Sequence, residues 1–221
     1  AQDGNGETIY GQRISATGGR VGEPFPIFSL NNEVYREPPP LAFNGTDFLV
    51  GAISGGDFQT VRVATNGTLI GSPSVTIANV SDSAAAIGSD GANFFAIAQR
   101  EQHLVGTRLS PTGAVMAPEI VVSATTLEHG QKRPQIAFDG TSFLVAYEDD
   151  MGDFDWAGQT DLYFARFSPT GALLTPRTLL MDGAYRQRKA RIASSPKPAA
   201  RDARPGRSAG IAVCSAVWRA G

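Results

Sequence analysis

Four stretches, RISATG at 13–18, RVATNG at 62–67, RLSPTG at 108–113 and RFSPTG at 166–171, each set an Arg five residues before a Gly. A Pro follows each Gly five or six residues later, at Pro24, Pro73, Pro118 and Pro176. The glycines Gly18, Gly67, Gly113 and Gly171 recur every 46 to 58 residues. A second signature alternates with the first: LAFNGTDFLV at 41–50, AIGSDGANFFAI at 86–97 and IAFDGTSFLVAY at 136–147. Self-similarity at such a period marks a repeat architecture, in which each unit is one supersecondary element that buries its apolar face on its neighbours.

Each unit reads as four short strands. In the copy at 39–83, residues 41–43 form strand a, 48–53 strand b, 59–64 strand c and 74–78 strand d. The a–b links carry Asn-Gly or Asp-Gly, at Asn44-Gly45, Asp90-Gly91 and Asp139-Gly140, and these pairs favour the positive φ of tight antiparallel turns. Pro-Thr-Gly at 111–113 and 169–171 does the same for the c–d link. No segment of helical length sustains a 3.6-residue apolar period.

Complete copies span 39–83, 84–132 and 133–188. Residues 1–38 supply only strands c and d, and residues 189–221 supply only ARIAS and GIAVCSAVW, matching a and b. The two remainders add up to one unit. The pattern therefore predicts a single all-β domain over 1–221, a small β-propeller of four four-stranded blades with one blade split between the termini. A β-sandwich of the same hairpins is the alternative, but it gives complementary half-units no purpose.

The chain of 221 residues is 42% hydrophobic with no apolar run near 18 residues, so membrane insertion is not expected. A net charge of −2 does not suggest a general nucleic-acid partner. Cys214, the only cysteine, excludes an intrachain disulfide and any multi-thiolate zinc site. The opening AQDGNGE carries neither an initiator Met nor a leader, as expected of a processed chain or a segment of a longer one. Both fit a secreted or cell-surface protein.

The run IAFDGTSFLVAYED, followed by DLYFARFSPTGALLTP, resembles the repeats of bacterial secreted β-propeller-type proteins, of the form A-F-D-G-T-x-[FY]-L-V-x-W … I-Y-x-x-R-[VI]-S-x-x-G. The likeness covers residues 1–193 and fades after Ser194, where SPKPAARDARPGRSA replaces the a–b turn. It implies the fold and the secreted location and is nearly silent on activity.

Three features are candidates for function. Arg13, Arg62, Arg108 and Arg166 could line a central anion site, or could serve the scaffold together with the four turn glycines. The run EDDMGDFDWAGQTD places Glu148, Asp149, Asp150, Asp153, Asp155 and Asp161 near one b–c loop. Asp149, Asp150, Asp153 and Asp155 are candidate Ca²⁺ ligands, since Ca²⁺ takes about six to eight oxygens, although the spacing is not that of an EF-hand and a solvated acidic loop fits as well. Trp156, with Asp153 and Asp155, is the candidate ligand-binding set, because aromatic faces bind sugar rings. Nine Lys/Arg between 186 and 219 form a basic stretch around a Pro/Ala/Arg-rich loop at 195–208.

No catalytic residue is assigned. The two histidines, His103 and His129, lie in no triad pattern, and no nucleophile elbow or phosphate loop occurs. The expectation is a non-catalytic extracellular binding or assembly module whose partner is a glycan or a protein surface. A glycan-active hydrolase or lyase using 148–155 is one alternative, and a subunit of a head-to-tail filament is another. Closure within one chain favours a monomer.

Overall fold

The computed structural model describes residues 6–31, 38–81, 84–116, 118–123, 129–151, 160–181, 187–194 and 211–217. Three complete blades are antiparallel four-stranded sheets of consecutive strands. The first contains β3 (Leu41–Phe43), β4 (Asp47–Ser54), β5 (Asp57–Ala64) and β6 (Leu69–Ile77). The second contains β7 (Ala85–Ser89), β8 (Phe94–Arg100), β9 (His103–Leu109) and β10 (Ile120–Ser123). The third contains β11 (His129–Phe138), β12 (Phe143–Met151), β13 (Thr160–Phe167) and β14 (Leu173–Met181). Ahead of them stands the hairpin β1 (Gly6–Ile14) and β2 (Arg20–Asn31), and after them the hairpin β15 (Gln187–Ser194) and β16 (Ile211–Val217). The architecture is that of a small all-β propeller, with no helix among the described residues.

Two details differ from the sequence reading. The outer strand of the first blade begins at Leu69, because a bulge within β6 lets the chain pair earlier than Ser74. The two terminal hairpins stand as separate two-stranded sheets, with no ladder joining β1 to β16 among the described residues.

The core lies between blades. Strand alternation gives each sheet two apolar faces, and neighbouring sheets pack face to face. Leu49, Ile53 and Phe58 of the first blade meet Ile87, Phe94 and Leu109 of the second. Phe95, Ile97 and Leu104 of the second meet Phe143, Tyr147 and Phe167 of the third. Phe28 and Leu30 of the first hairpin close on Val50, Val61 and Val63.

The repeated turns are built the same way each time. Gly18, Gly67, Gly113 and Gly171 take φ of 86°, 91°, 80° and 87°, which L side chains rarely adopt. In each a–b turn the first side chain, Asn44, Asp90 or Asp139, accepts from backbone N–H groups two and three residues on. The repeated Arg of strand c reaches back to this turn. Arg62 pairs with Asp47, Arg108 with Asp90 at 3.6 Å, and Arg166 with Asp139 and the Ser142 hydroxyl. Blade one carries Asn first and Asp fourth in its turn, whereas blades two and three carry Asp first. Each turn thus presents one carboxylate to its Arg, from either of two positions. The aliphatic stem of the same Arg lies over the turn glycine of the following blade: a Cβ placed on Gly67 would sit 3.3 Å from Arg13 Cδ, and on Gly171 3.2 Å from Arg108 Cδ.

Asp139 gives a pH test of this link. Burial alone would raise its pKa, but hydrogen bonds from Thr141 and Ser142, with the Arg166 charge, outweigh burial and lower it from 3.8 to about 2. A depressed carboxyl stabilises the fold fully above its unfolded value, and that contribution disappears as pH falls from there through the folded value. Urea unfolding from neutral pH downward should show this loss between about pH 4 and pH 2. Asp139→Asn should flatten that part of the profile, and an unchanged profile would remove Asp139 from the account.

Candidate functional site

The blades surround a central cavity of about 300 Å³, lined by the starts of the four inner strands. Pro38 to Leu41 and Ala84 to Ile87 form its apolar side, while Arg133, Gln135 and Arg191 form its polar side. Its rim is the face carrying the b–c and d–a connections. The composition of the inner strands explains the asymmetry: three prolines lead into β3 and three alanines into β7, but β11 begins HGQKRPQ and β15 begins QRKAR.

Arg133 owes its position to a bulge. The register of β11 against β12 slips between Lys132 and Gln135, and Arg133 takes φ 50° ahead of Pro134. Its guanidinium lies 2.9 Å from Oε2 of Glu148, whose side chain is fully buried. Arg191 donates from Nη1 to the carbonyl of Ala190 at 3.2 Å.

The structure moves the first three acids of the acidic run out of the loop in which the sequence reading placed them. Glu148, Asp149 and Asp150 belong to β12, which continues to Met151 and pairs with β13 through Asp149↔Asp161 and Asp150↔Thr160. Successive strand residues point to opposite faces, so three adjacent acids cannot converge on one ion. Each meets its own cation. Glu148 has Arg133, Asp150 has Lys132 and the Thr160 hydroxyl, and Asp149 accepts from Arg177 Nε at 3.0 Å. Arg177 in turn lies 3.6 Å above the centre of the Tyr163 ring, and Tyr163 stacks on Tyr147 at 6.4 Å. Burial pushes the Tyr147 hydroxyl up to about 12, so it stays neutral near neutral pH.

Among the described residues no group of three or more His, Cys, Asp or Glu is placed to hold a metal ion. Asp153, Asp155 and Trp156 lie outside the described residues, as does the basic stretch 195–208. The repeated Arg and Gly residues sit at the opposite, a–b and c–d end, where the acids of the turns engage Arg62, Arg108 and Arg166. Sequence reasoning missed Lys132, Arg133 and Arg177 as partners of the acids. The signal was the KR pair at 132–133: strand pairing across the a–b turn sets Lys132 opposite Glu148, and from there Lys132 reaches Asp150 and Arg133 reaches Glu148.

The arrangement can hold a polar or anionic group at the cavity rim through guanidinium and amide donors. Chemistry at a glycosidic bond needs two carboxyl groups facing each other, about 5–10 Å apart, one of them protonated. Glu148, Asp149 and Asp150 are instead acceptors of the neighbouring cations Arg133, Arg177 and Lys132.

These features define a β-propeller-type scaffold with a polar central opening. No protein-family model matches the sequence, and no curated protein matches it at a significant level. Among solved structures it is similar to a GH43 endo-arabinanase from Bacillus licheniformis, at 10% identity and TM-score 0.45, covering 99% of this chain and 92% of that one. An endo-arabinase from Bacteroides thetaiotaomicron gives 10% identity and TM-score 0.45 over 89% of this chain and 81% of that one. TolB from Acinetobacter baumannii gives 14% identity and TM-score 0.45, covering 92% of this chain and 45% of that one. Likeness at this level says nothing about substrate or activity. No helix among the described residues is long and apolar enough to cross a membrane.

Proposed function

We propose that the protein is a non-catalytic binding module, secreted or displayed at the cell surface, that meets a glycan or a protein surface on the b–c face. The observation that supports this reading is the pairing of Glu148, Asp149 and Asp150 with Arg133, Arg177 and Lys132. Carboxylates held that way serve as structural acceptors, while Arg191 and Gln135 offer donors at the cavity rim. Asp153, Asp155 and Trp156, which follow β12 in the sequence, complete the candidate ligand set.

The test is a glycan array run alongside hydrolase and lyase assays on the polysaccharides that are retained. Binding without product release is expected, and Arg191→Ala should weaken it about tenfold, as loss of one charged hydrogen bond does. Product release that disappears in Glu148→Gln or Asp150→Asn would establish the hydrolase instead.

A further inference from the structure

The inner strands carry one position at which the repeat is abandoned. Four residues ahead of each a–b turn stand Pro40, Ala86 and Gln135 in the three complete blades. The ladders agree with this count, since Ala86 pairs with Ile97, Gln135 pairs with Ala146, and Gly51 donates to the Pro40 carbonyl. β15 supplies a fourth equivalent. Its ladder slips between Arg188 and Arg191 and then runs unbroken to Ser194, as that of β11 slips between Lys132 and Gln135 and runs unbroken to Phe138. Arg191 thus corresponds to Gln135. Pro40, Ala86, Gln135 and Arg191 all line the central cavity. Residues that serve the scaffold recur from blade to blade, as the turn glycines and the arginines of strand c do. Here four equivalent places hold four residue types, and they split the cavity into an apolar half and a polar half. A repeated scaffold does not call for that division, whereas a ligand with one apolar and one polar side does.

The charge of the polar half is specific as well. Among the described residues two guanidiniums line the cavity, those of Arg133 and Arg191, and no carboxylate does. Glu148, buried behind the wall, offsets Arg133 at 2.9 Å. Arg191 has no acidic partner among the described residues, and its Nη1 donates to the Ala190 carbonyl at 3.2 Å. One net positive charge is left, on a planar fork of N–H donors that matches a carboxylate. Beside it, Gln135 donates from Nε2 to the Pro134 carbonyl at 2.9 Å, which leaves its amide oxygen to accept from a hydroxyl. Arg133 holds φ 50° directly before Pro134, where the chain ordinarily prefers extended backbone. Strain of this kind persists where the surroundings fix it, and it gathers at ligand clamps. At about 300 Å³ the cavity lies at the small end of ligand sites, so it takes one sugar-sized group and not a run of them.

We propose that the central cavity receives a single hexuronic acid residue of a glycan, with its carboxylate on Arg191, a hydroxyl on Gln135 and the C–H face of its ring against Pro40, Leu41 and Ala86. The proposal rests on the reading of the protein as a glycan-binding module and narrows it to acidic glycans. A neutral sugar would cover the Arg191 guanidinium without supplying a counter-charge, which costs binding energy. A bare phosphate would leave the apolar half of the cavity unused.

The test is calorimetric titration of the whole chain with D-glucuronate and D-galacturonate, set against D-glucose and D-galactose, which carry a hydroxymethyl group in place of the carboxylate. A uronate should bind at least about tenfold more tightly than its neutral counterpart, and Arg191→Ala should abolish that preference. The Arg191 side chain is exposed, so its replacement leaves the packed core alone. Arg20→Ala removes the same charge from an exposed site at the c–d end of the first hairpin and should leave the preference intact. Acetate and inorganic phosphate identify the source of the charge, and either one binding as tightly as the uronates would overturn the sugar assignment. Equal binding of acidic and neutral sugars, a preference that survives Arg191→Ala, or no binding of either uronate would each overturn the inference. The broader reading fails separately. Neutral glycans retained on the array would leave a binding module standing and remove only its acidic ligand.

Discussion

Replacing Phe95 with Ala should lower the unfolding free energy by about 3–5 kcal/mol, the usual cost of emptying an aromatic site in a packed core. Phe95 is fully buried and touches two rings of the next blade edge-on, Phe143 at 5.5 Å and Phe167 at 5.6 Å. It also closes over Gly106, where an added Cβ would meet its Cε2 at 2.7 Å, so the backbone of β9 leans on this ring. Losing the ring removes packing from both blades together. The measurement is urea unfolding by circular dichroism, with Val121→Ala as an exposed control expected to move little. A loss below about 1 kcal/mol would mean that the interface between the second and third blades is not packed as described.

The second large effect is expected at a turn. Gly171→Ala forces a side chain into φ 87° and drives its Cβ to 2.6 Å from Ile120 Cδ1 and 3.2 Å from Arg108 Cδ. Backbone strain of about 1–2 kcal/mol then adds to overpacking of about 1–3 kcal/mol. Gly71→Ala separates the two contributions, because Gly71 has φ 82° with nothing within 4 Å of an added Cβ among the described residues. It should show the strain alone. Equal costs at the two positions would mean that the glycine notch is not packed against the neighbouring blade.

Much of this architecture could be read from the chain because its determinants are local. Asn-Gly, Asp-Gly and Pro-Thr-Gly turns need particular φ values whatever surrounds them, and their spacing alone set out the strands. What escaped the reading depends on partners distant in sequence. That Glu148 to Asp150 continue a strand is decided by pairing with Lys132 on one side and Thr160 on the other. Arg177, 28 residues from Asp149, reaches it across two strand pairings that no local motif announces. The migration of the turn carboxylate from Asp47 to Asp90 and Asp139 was equally hidden. Alignment by motif matches Asn44 with the aspartates, and only the position of the arginine head group shows that Asp47 does their work.

The Arg-to-glycine contact between blades runs one way round. Arg13, Arg62 and Arg108 each reach the turn glycine of the next blade, so the first two complete units carry both a plug and a socket of the same design. A unit copied in tandem arrives with both fittings, and it can be inserted without altering either neighbour. Lengthening of such a gene is thus chemically neutral at the joints.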